Sequence, residues 1–208
     1  MPVEPQGPTV ETPESRAKQL AILTAIHAQL SQDSQLFYNY SSWYGTQQFA
    51  SQQRRMSSVS PVVLPERIIR FYGLREQQQD PTATIADIGF ISGFSHVVNI
   101  VFPHIINAFK PDNEAIPPIP QDWTWERTPE AKKQQILAQR EAQRIAYARI
   151  RTEVLASPLG LVNILERYIQ ENLPSHSIDR YAAERAIAGI KKLYAAQTYL
   201  HVIPQEEV

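Results

Sequence analysis

Apolar residues recur every three or four positions along most of the chain, which is the pattern of amphipathic helices. The first helix is predicted to start at Pro13, because Thr12 is a good N-cap and proline suits the first helical position. Its apolar face runs from Leu20 to Leu30 and predicts a helix that ends near residue 31.

The pattern continues through the middle of the chain with several interruptions. A second helical segment is predicted to start at Asp33 or the serine after it, and a short helix follows Pro65. Gly93 is predicted to end another short helix. Residues 96–109 are the most hydrophobic predicted helix, so we expect them to form the core helix.

The C-terminal part repeats the capping pattern of the first helix. Thr128, Pro129 and Glu130 are a cap, a proline and an acid, and they predict a long helix over 129–156. Two further helices are expected after it. No run of alternating apolar and polar residues predicts a strand. The fold class predicted is all-α, an irregular bundle of seven or eight helices with a proline-rich strap.

Prolines divide the chain into segments. Residues 1–12 hold three prolines and are expected to form an extended arm, and residues 110–122 hold four and are expected to form a linker or a strap without helix. The N-terminal helical part is then 13–109, the C-terminal helical part is 123–203, and residues 204–208 form an acidic tail. Whether 110–122 separates two domains or straps one is left open by the sequence.

Composition restricts the class of protein. The chain has 208 residues, 43% of them hydrophobic, and a net charge of −1, which is typical of a globular protein. Because it has no cysteine, disulfides, cysteine zinc sites, iron–sulfur clusters and a cysteine nucleophile are excluded. The N-terminus lacks the basic and apolar regions of a signal peptide. The most apolar stretch, 97–109, is shorter than the roughly 20 residues of a spanning helix, so we expect a cytoplasmic protein with no membrane insertion.

No motif predicts catalysis or a cofactor. The histidines do not have the spacing of a metal-binding helix, and the scattered glycines do not form a phosphate-binding loop. His96 and His104 are interpreted as part of the polar side of the core helix. We therefore predict no catalytic, cofactor-binding or metal-binding residue and no cofactor. A hydrolase whose carboxylates are distant in the chain remains a third, weaker hypothesis.

Residues 85–95 carry a short resemblance to a known motif. Their pattern, I-A-x-I-x-x-x-x-G-F-S, resembles the start of the helix-turn-helix of AraC-type regulators. The resemblance implies two short helices joined by a turn at Gly93, and it covers about 11 residues. It is lost downstream, where Pro103 stands in the recognition helix and no Arg or Lys lies between Arg75 and Lys110. Two short helices packed around Gly93 without a DNA-binding role are the favoured interpretation.

The long helix carries a basic stripe. Its members fall within roughly 40° of one line over about 27 Å of helix. They are Lys133, Arg140, Arg144 and Arg151. Such a row can neutralise successive phosphates of a nucleic acid. The alternative is that the arginine stems cover the edge of the neighbouring apolar face, which includes Ile136 and Tyr147.

Two aromatic groups are candidate protein interfaces, because aromatic side chains are enriched at such surfaces. They are Phe37, Tyr40, Trp43 and Tyr44 in the N-terminal part and Trp123 and Trp125 after the strap. The sequence therefore favours a non-enzymatic helical structural or interaction subunit of a larger assembly, with protein partners. The alternative is a nucleic-acid-binding subunit of a nucleoprotein complex that uses the basic stripe.

Overall fold

The computed structural model describes residues 11–53, 61–74, 85–157 and 159–200. Residues 198–200 are described by their backbone alone. It is 82% helical, with eight helices and no strand among the residues it describes. The prediction of an all-α multi-helix bundle is confirmed. Most of the arm at 1–12 and all of the tail at 204–208 lie outside the described residues.

The eight helices differ greatly in length, from four residues to 40. In chain order they are α1 (Pro13–Gln52), α2 (Glu66–Phe71), α3 (Ile88–Phe109), α4 (Asp112–Ala115), α5 (Trp123–Arg127), α6 (Glu130–Ala156), α7 (Gly160–Asn172) and α8 (Ile178–Leu200).

The first helix is longer than predicted. α1 continues without a break from Pro13 to Gln52, so the expected second start at Asp33 is wrong. The Asp33 side chain is buried and accepts hydrogen bonds from the Tyr72 hydroxyl and, at 3.2 Å, from Gln29 Nε2. Its carboxylate is thus a partner in tertiary packing and does not cap a helix. The Thr12 cap is confirmed, because Thr12 Oγ1 accepts from the backbone N–H of Ser15 at 3.1 Å.

α3 also passes through a predicted helix end. Asp87 caps its start by accepting from the N–H of Gly89 at 2.7 Å, and the helix runs on through Gly93. A Cβ on Gly93 would lie 2.7 Å from Cα of Asp179, so this glycine serves close packing of α3 against α8. The turn implied by the resemblance to AraC-type regulators is therefore wrong, and so is the alternative of two short helices.

A π-helical stretch, Val97–Val101, lies inside α3 just before Pro103. A proline ring clashes with the carbonyl of the residue four positions earlier, here Asn99, which belongs to this stretch. The wider π turn moves that carbonyl away and lets the helix continue to Phe109. The predicted core helix is thus the C-terminal part of a helix of 22 residues.

By length and composition, α3 is able to cross a membrane, and it is the one such helix found in the described part of the chain. The 13-residue stretch considered in the sequence is extended at its N-terminus by Ile88–His96. Buried core helices of soluble proteins can have the same length and composition, and 44% of the most apolar 18-residue stretch of α3 is buried within the structure. The absence of membrane insertion stays a prediction.

The strap contains one helical turn that was not predicted. α4 starts directly after Pro111, a position that tolerates proline because it needs no backbone N–H. The Pro111 carbonyl accepts from the N–H of Glu114 at 2.9 Å. Residues 117–121 have no regular structure.

The chain forms two compact units. Unit 1 comprises Met1–Ala21 and His104–Ile164, and unit 2 comprises Ile22–Pro103 and Leu165–Val208. The strap and the residues on both sides of it belong to unit 1, and the divisions fall inside α1, α3 and α7. The core of unit 2 centres on Phe37, whose ring makes edge contacts with those of Tyr72, Phe90 and Phe94.

Candidate functional site

The most exposed long element of the structure is the first half of α6. The helix has 27 residues, and its only buried ones, Tyr147 and Val154, lie in its second half. Residues 130–146 therefore contain no buried side chain. Even the apolar Leu137 and Ile145 are 44% and 55% exposed. The side of this half of α6 that carries Leu137 and Ile145 is therefore a helix surface that unit 1 leaves largely uncovered.

The basic stripe has the predicted alignment along α6, but three of its four side chains donate hydrogen bonds to backbone carbonyls of unit 1. Lys133 Nζ lies 3.4 Å from the carbonyl oxygen of Glu126 and 5.7 Å from the Trp125 ring centroid. Arg140 donates to the carbonyl of Ile116 at 3.3 Å and to that of Pro117. These contacts hold α5 and the strap along the helix.

Arg151 lies at the far end of the stripe and is nearly buried, with 13% of its side chain exposed. It donates to the Ala108 carbonyl at 2.9 Å and forms an ion pair of 2.6 Å with Glu11. Arg16 donates in the same way to the carbonyls of Phe109, at 3.1 Å, and Lys110. Both guanidiniums thus cap the C-terminus of α3.

Arg144 is the exception in the stripe. Its side chain is 64% exposed, and it pairs with Glu141, three residues earlier on α6, at 3.3 Å. Surface ion pairs of this kind contribute little stability. Arg144 is therefore the stripe residue that is available to a ligand.

A cavity of about 520 Å³ lies between the strap and α6, entirely within unit 1, and we call it the strap groove. One wall is the strap and the other is the second half of the basic stripe. Its lining residues are Asp112, Asn113, Ala115, Ile116, Pro118, Arg140, Glu141, Arg144, Ile145, Tyr147, Ala148 and Arg151. The groove thus combines charged groups with an apolar floor, as ligand pockets commonly do.

The two carboxylates of the strap groove are paired with arginines. The guanidinium of Arg16 hydrogen-bonds to Asp112 at 2.8 Å and lowers the pKa of this carboxyl, and the charges of Arg151 and Arg144 lower it further. A general acid needs the opposite shift. The second carboxylate, Glu141, is paired with Arg144. Both carboxylates of the groove thus form ion pairs with arginines, which is not the environment of a general acid.

A second cavity, of about 570 Å³, lies at the start of α8 in unit 2. Ser177 caps that helix by accepting from the N–H of Arg180 at 3.1 Å. Arg180 in turn pairs with Glu184 at 3.2 Å. Burial raises the pKa of Tyr181, which also lines the cavity. The charged groups of this cavity satisfy one another.

The N-terminal aromatic group is mostly core. Phe37 is 1% exposed and Tyr40 6%, so their prediction as interface residues is wrong. The reason is that both lie on the face of α1 that packs into unit 2, where Phe37 meets the other core rings. Trp43 and Tyr44 are partly exposed and pack against the ring of Tyr40.

The second aromatic group lies on α5. Asp122 caps this helix by accepting from the N–H groups of Thr124 and Trp125, at 3.0 and 3.1 Å. Trp123 is 65% exposed, and the Arg127 guanidinium lies 5.4 Å from its ring centroid. Trp123 therefore keeps the exposure expected of an interface residue.

The described residues contain no group of three metal-binding side chains. His96 hydrogen-bonds to the Tyr168 hydroxyl at 2.7 Å, and His104 is exposed, with its ring 5.2 Å from that of Tyr147. His96 and His104 thus lie away from the most buried face of α3, as the polar-side interpretation expected.

Sequence reasoning missed the apolar half of the groove. Ile145 and Ile116 were not singled out, because one isoleucine in a polar helix and another in a proline-rich segment look unremarkable. The usable signal was that Ile145 departs from the buried face defined by Tyr147 and Val154.

Comparisons with protein-family models, curated proteins and solved structures find no match.

Proposed function

We propose that the protein is a non-enzymatic helical subunit of a larger assembly, and that it binds a protein partner through the exposed half of α6. One observation carries the proposal: residues 130–146 form a regular helix with no buried residue, and they expose Leu137 and Ile145. The sequence contributes the absence of any recognisable catalytic motif.

The physical argument concerns what stabilises this part of the helix. Most helical stability in proteins comes from packing of an apolar face, not from helix propensity. Residues 130–146 have good helix formers but little packing of their own. A partner that covered Leu137 and Ile145 would remove their apolar surface from water and supply that packing.

The nucleic-acid alternative has less support than the sequence indicated. A phosphate-binding row needs cations that are free to contact the ligand. Arg151 and Arg140 instead donate to carbonyls of unit 1, and Lys133 is 21% exposed beside Glu126 and Glu130. This alternative stays a prediction.

Position-specific photo-crosslinking in the source cells tests the proposal. A photoreactive amino acid at Leu137 is compared with the same group at Ala146, which is exposed and lies about 180° away around the same helix. We expect a light-dependent adduct of defined mass at position 137 and none at position 146. Absence of an adduct at 137, or equal labelling at both positions, contradicts the proposal.

A further inference from the structure

We infer that the strap groove binds an acidic, aliphatic peptide segment of the partner, with Arg144 receiving a carboxylate and Ile145 and Ile116 receiving the aliphatic side chain. This inference rests on the proposed function, because it names the site and chemistry through which the partner is held. The groove has a volume of about 520 Å³, within the range of about 300–1,000 Å³ common for ligand pockets.

The charges of the groove favour an anionic occupant. Three guanidiniums, those of Arg140, Arg144 and Arg151, line it together with two carboxylates, those of Asp112 and Glu141. Arg140 bonds to neutral carbonyls, and no carboxylate of the described residues pairs with it. Its charge therefore remains uncompensated. The lowered pKa of Asp112 fits a positive potential at this wall.

Arg144 is the residue best placed to receive the carboxylate. Arg151 and Arg140 are tied to backbone carbonyls of α3 and the strap. Arg144 is 64% exposed and paired only with Glu141 on its own helix, so exchanging that weak pair for an incoming carboxylate costs little. A guanidinium also binds a carboxylate through two parallel hydrogen bonds.

The apolar part of the groove selects an aliphatic side chain beside the acid. Ile145 is 55% exposed at the edge of the groove, whereas Ile116 and Tyr147 are buried at its floor. A leucine or isoleucine of the partner that covered Ile145 would bury apolar surface from both molecules. Alternating acidic and aliphatic side chains meet both requirements at once.

A protein segment fits this groove better than a nucleic acid does. A phosphate backbone has no aliphatic side chain to place against Ile116 and Ile145, whereas a peptide brings an aliphatic side chain together with its carboxylate. The floor is apolar, and Arg140 and Arg151 donate to backbone carbonyls, so they offer no continuous row of available cations to successive phosphates. Nucleic-acid binding is therefore treated as an opposing outcome of the test.

The test measures fluorescence anisotropy of the full-length protein with a labelled peptide of about eight residues that alternates leucine and glutamate. The matched peptide has lysine in place of glutamate. We expect saturable binding of the acidic peptide at about 50 mM salt, weaker binding at about 200 mM, and no binding of the basic peptide up to about 1 mM.

Three variants locate the binding. We expect Arg144→Glu and Ile145→Asp each to weaken binding of the acidic peptide by about tenfold or more. The control is Arg149→Glu, which makes the same charge change at an exposed position of α6 outside the groove. It should change the affinity by no more than about twofold, because a surface charge outside the site acts only at long range. Circular dichroism verifies that all three variants keep their helix content.

Four results overturn the inference: no binding of the acidic peptide, equal binding of the basic peptide, equal effects of Arg144→Glu and Arg149→Glu, or a labelled single-stranded DNA that binds with the same dependence on Arg144. The two proposals fail separately. A crosslink at Leu137 without peptide binding preserves the interaction function and refutes the groove as its site. Failure of both experiments refutes both.

Discussion

Arg151 of α6 donates a hydrogen bond from Nη1 to the carbonyl oxygen of Ala108, 2.9 Å away, at the C-terminal end of α3. Arg16 of α1 donates to the carbonyls of the next two residues, Phe109 and Lys110. The last carbonyls of a helix have no partner within it and carry the negative end of the helix dipole. Two guanidiniums therefore satisfy and neutralise the end of α3.

Arg151→Ala should lower the free energy of unfolding by about 1.5–3 kcal/mol, because it removes the charged hydrogen bond to the carbonyl of the buried residue Ala108. Urea denaturation followed by circular dichroism measures the change. Arg149→Ala is the control, since Arg149 is exposed on the same helix. It should change the free energy by no more than about 0.5 kcal/mol. Equal effects of the two variants would show that Arg151 does not cap α3.

The stripe shows what the sequence was able to predict and what it was not. The alignment of Lys133, Arg140, Arg144 and Arg151 followed from helix periodicity, and the long helix that carries them is confirmed. Their partners did not follow. Ala108 and Ile116 contribute backbone carbonyls. Because every residue has a backbone carbonyl, the residue type does not indicate which carbonyl an arginine will contact.

Gly93→Ala should destabilise the protein by roughly 1–3 kcal/mol, because the added methyl group overlaps the backbone of Asp179 and forces α3 and α8 apart. The thermal unfolding midpoint measures this effect. Gly45→Ala is the matched control within α1, where an added Cβ meets nothing within 4 Å. It should raise stability by roughly 0.5–1 kcal/mol, since glycine is a poor helix former. Stabilisation by both substitutions would contradict the close packing at Gly93.

Helix ends were the least predictable part of the fold. A glycine such as Gly93 and an aspartate such as Asp33 are local signals for a helix end or start. Both side-chain types are also selected by tertiary packing, and here packing prevails: Gly93 admits the backbone of α8, and Asp33 receives the Tyr72 hydroxyl. At Thr12 no such contact intervenes, and the local signal predicted the cap correctly. The predicted cap at Thr128 is wrong, because its hydroxyl donates to the Thr124 carbonyl and α6 starts after Pro129 without a side-chain cap.

Asp112→Asn should remove a small contribution to stability that depends on pH. The Arg16 guanidinium lowers the pKa of Asp112 below its ordinary value of 3.8. The contribution is therefore present above pH 3.8 and is lost as the pH falls through the lowered pKa. The carboxylate is 81% exposed, so screening limits the effect to less than about 1 kcal/mol. Acid titration of both proteins should show a smaller loss of stability in the variant, and identical curves would contradict the ion pair.

Tyr72→Phe should destabilise unit 2 by roughly 1–3 kcal/mol, because it leaves the buried carboxylate of Asp33 without its hydroxyl donor. Gln29 still donates to the other oxygen of Asp33, which limits the loss. Urea denaturation measures it. Tyr38→Phe is the control, since Tyr38 is 56% exposed, and it should be nearly neutral. A neutral Tyr72→Phe would show that the buried hydrogen bond contributes no net stability.

The same tyrosine predicts a loss of stability at alkaline pH. Burial, the hydrogen bond to Asp33 and the charge of Asp33 raise the pKa of Tyr72 far above its ordinary value of 10.0. Above pH 10.0 the unfolded chain releases this proton and the folded chain keeps it, so the free energy of unfolding falls with pH by about 1.4 kcal/mol per unit. Below that pH the contribution is fully present. The other tyrosines titrate as well, so the measurement is the difference between wild type and Tyr72→Phe in urea denaturation from about pH 8 upward. The variant should show the shallower decline, and parallel curves would contradict a buried, protonated Tyr72.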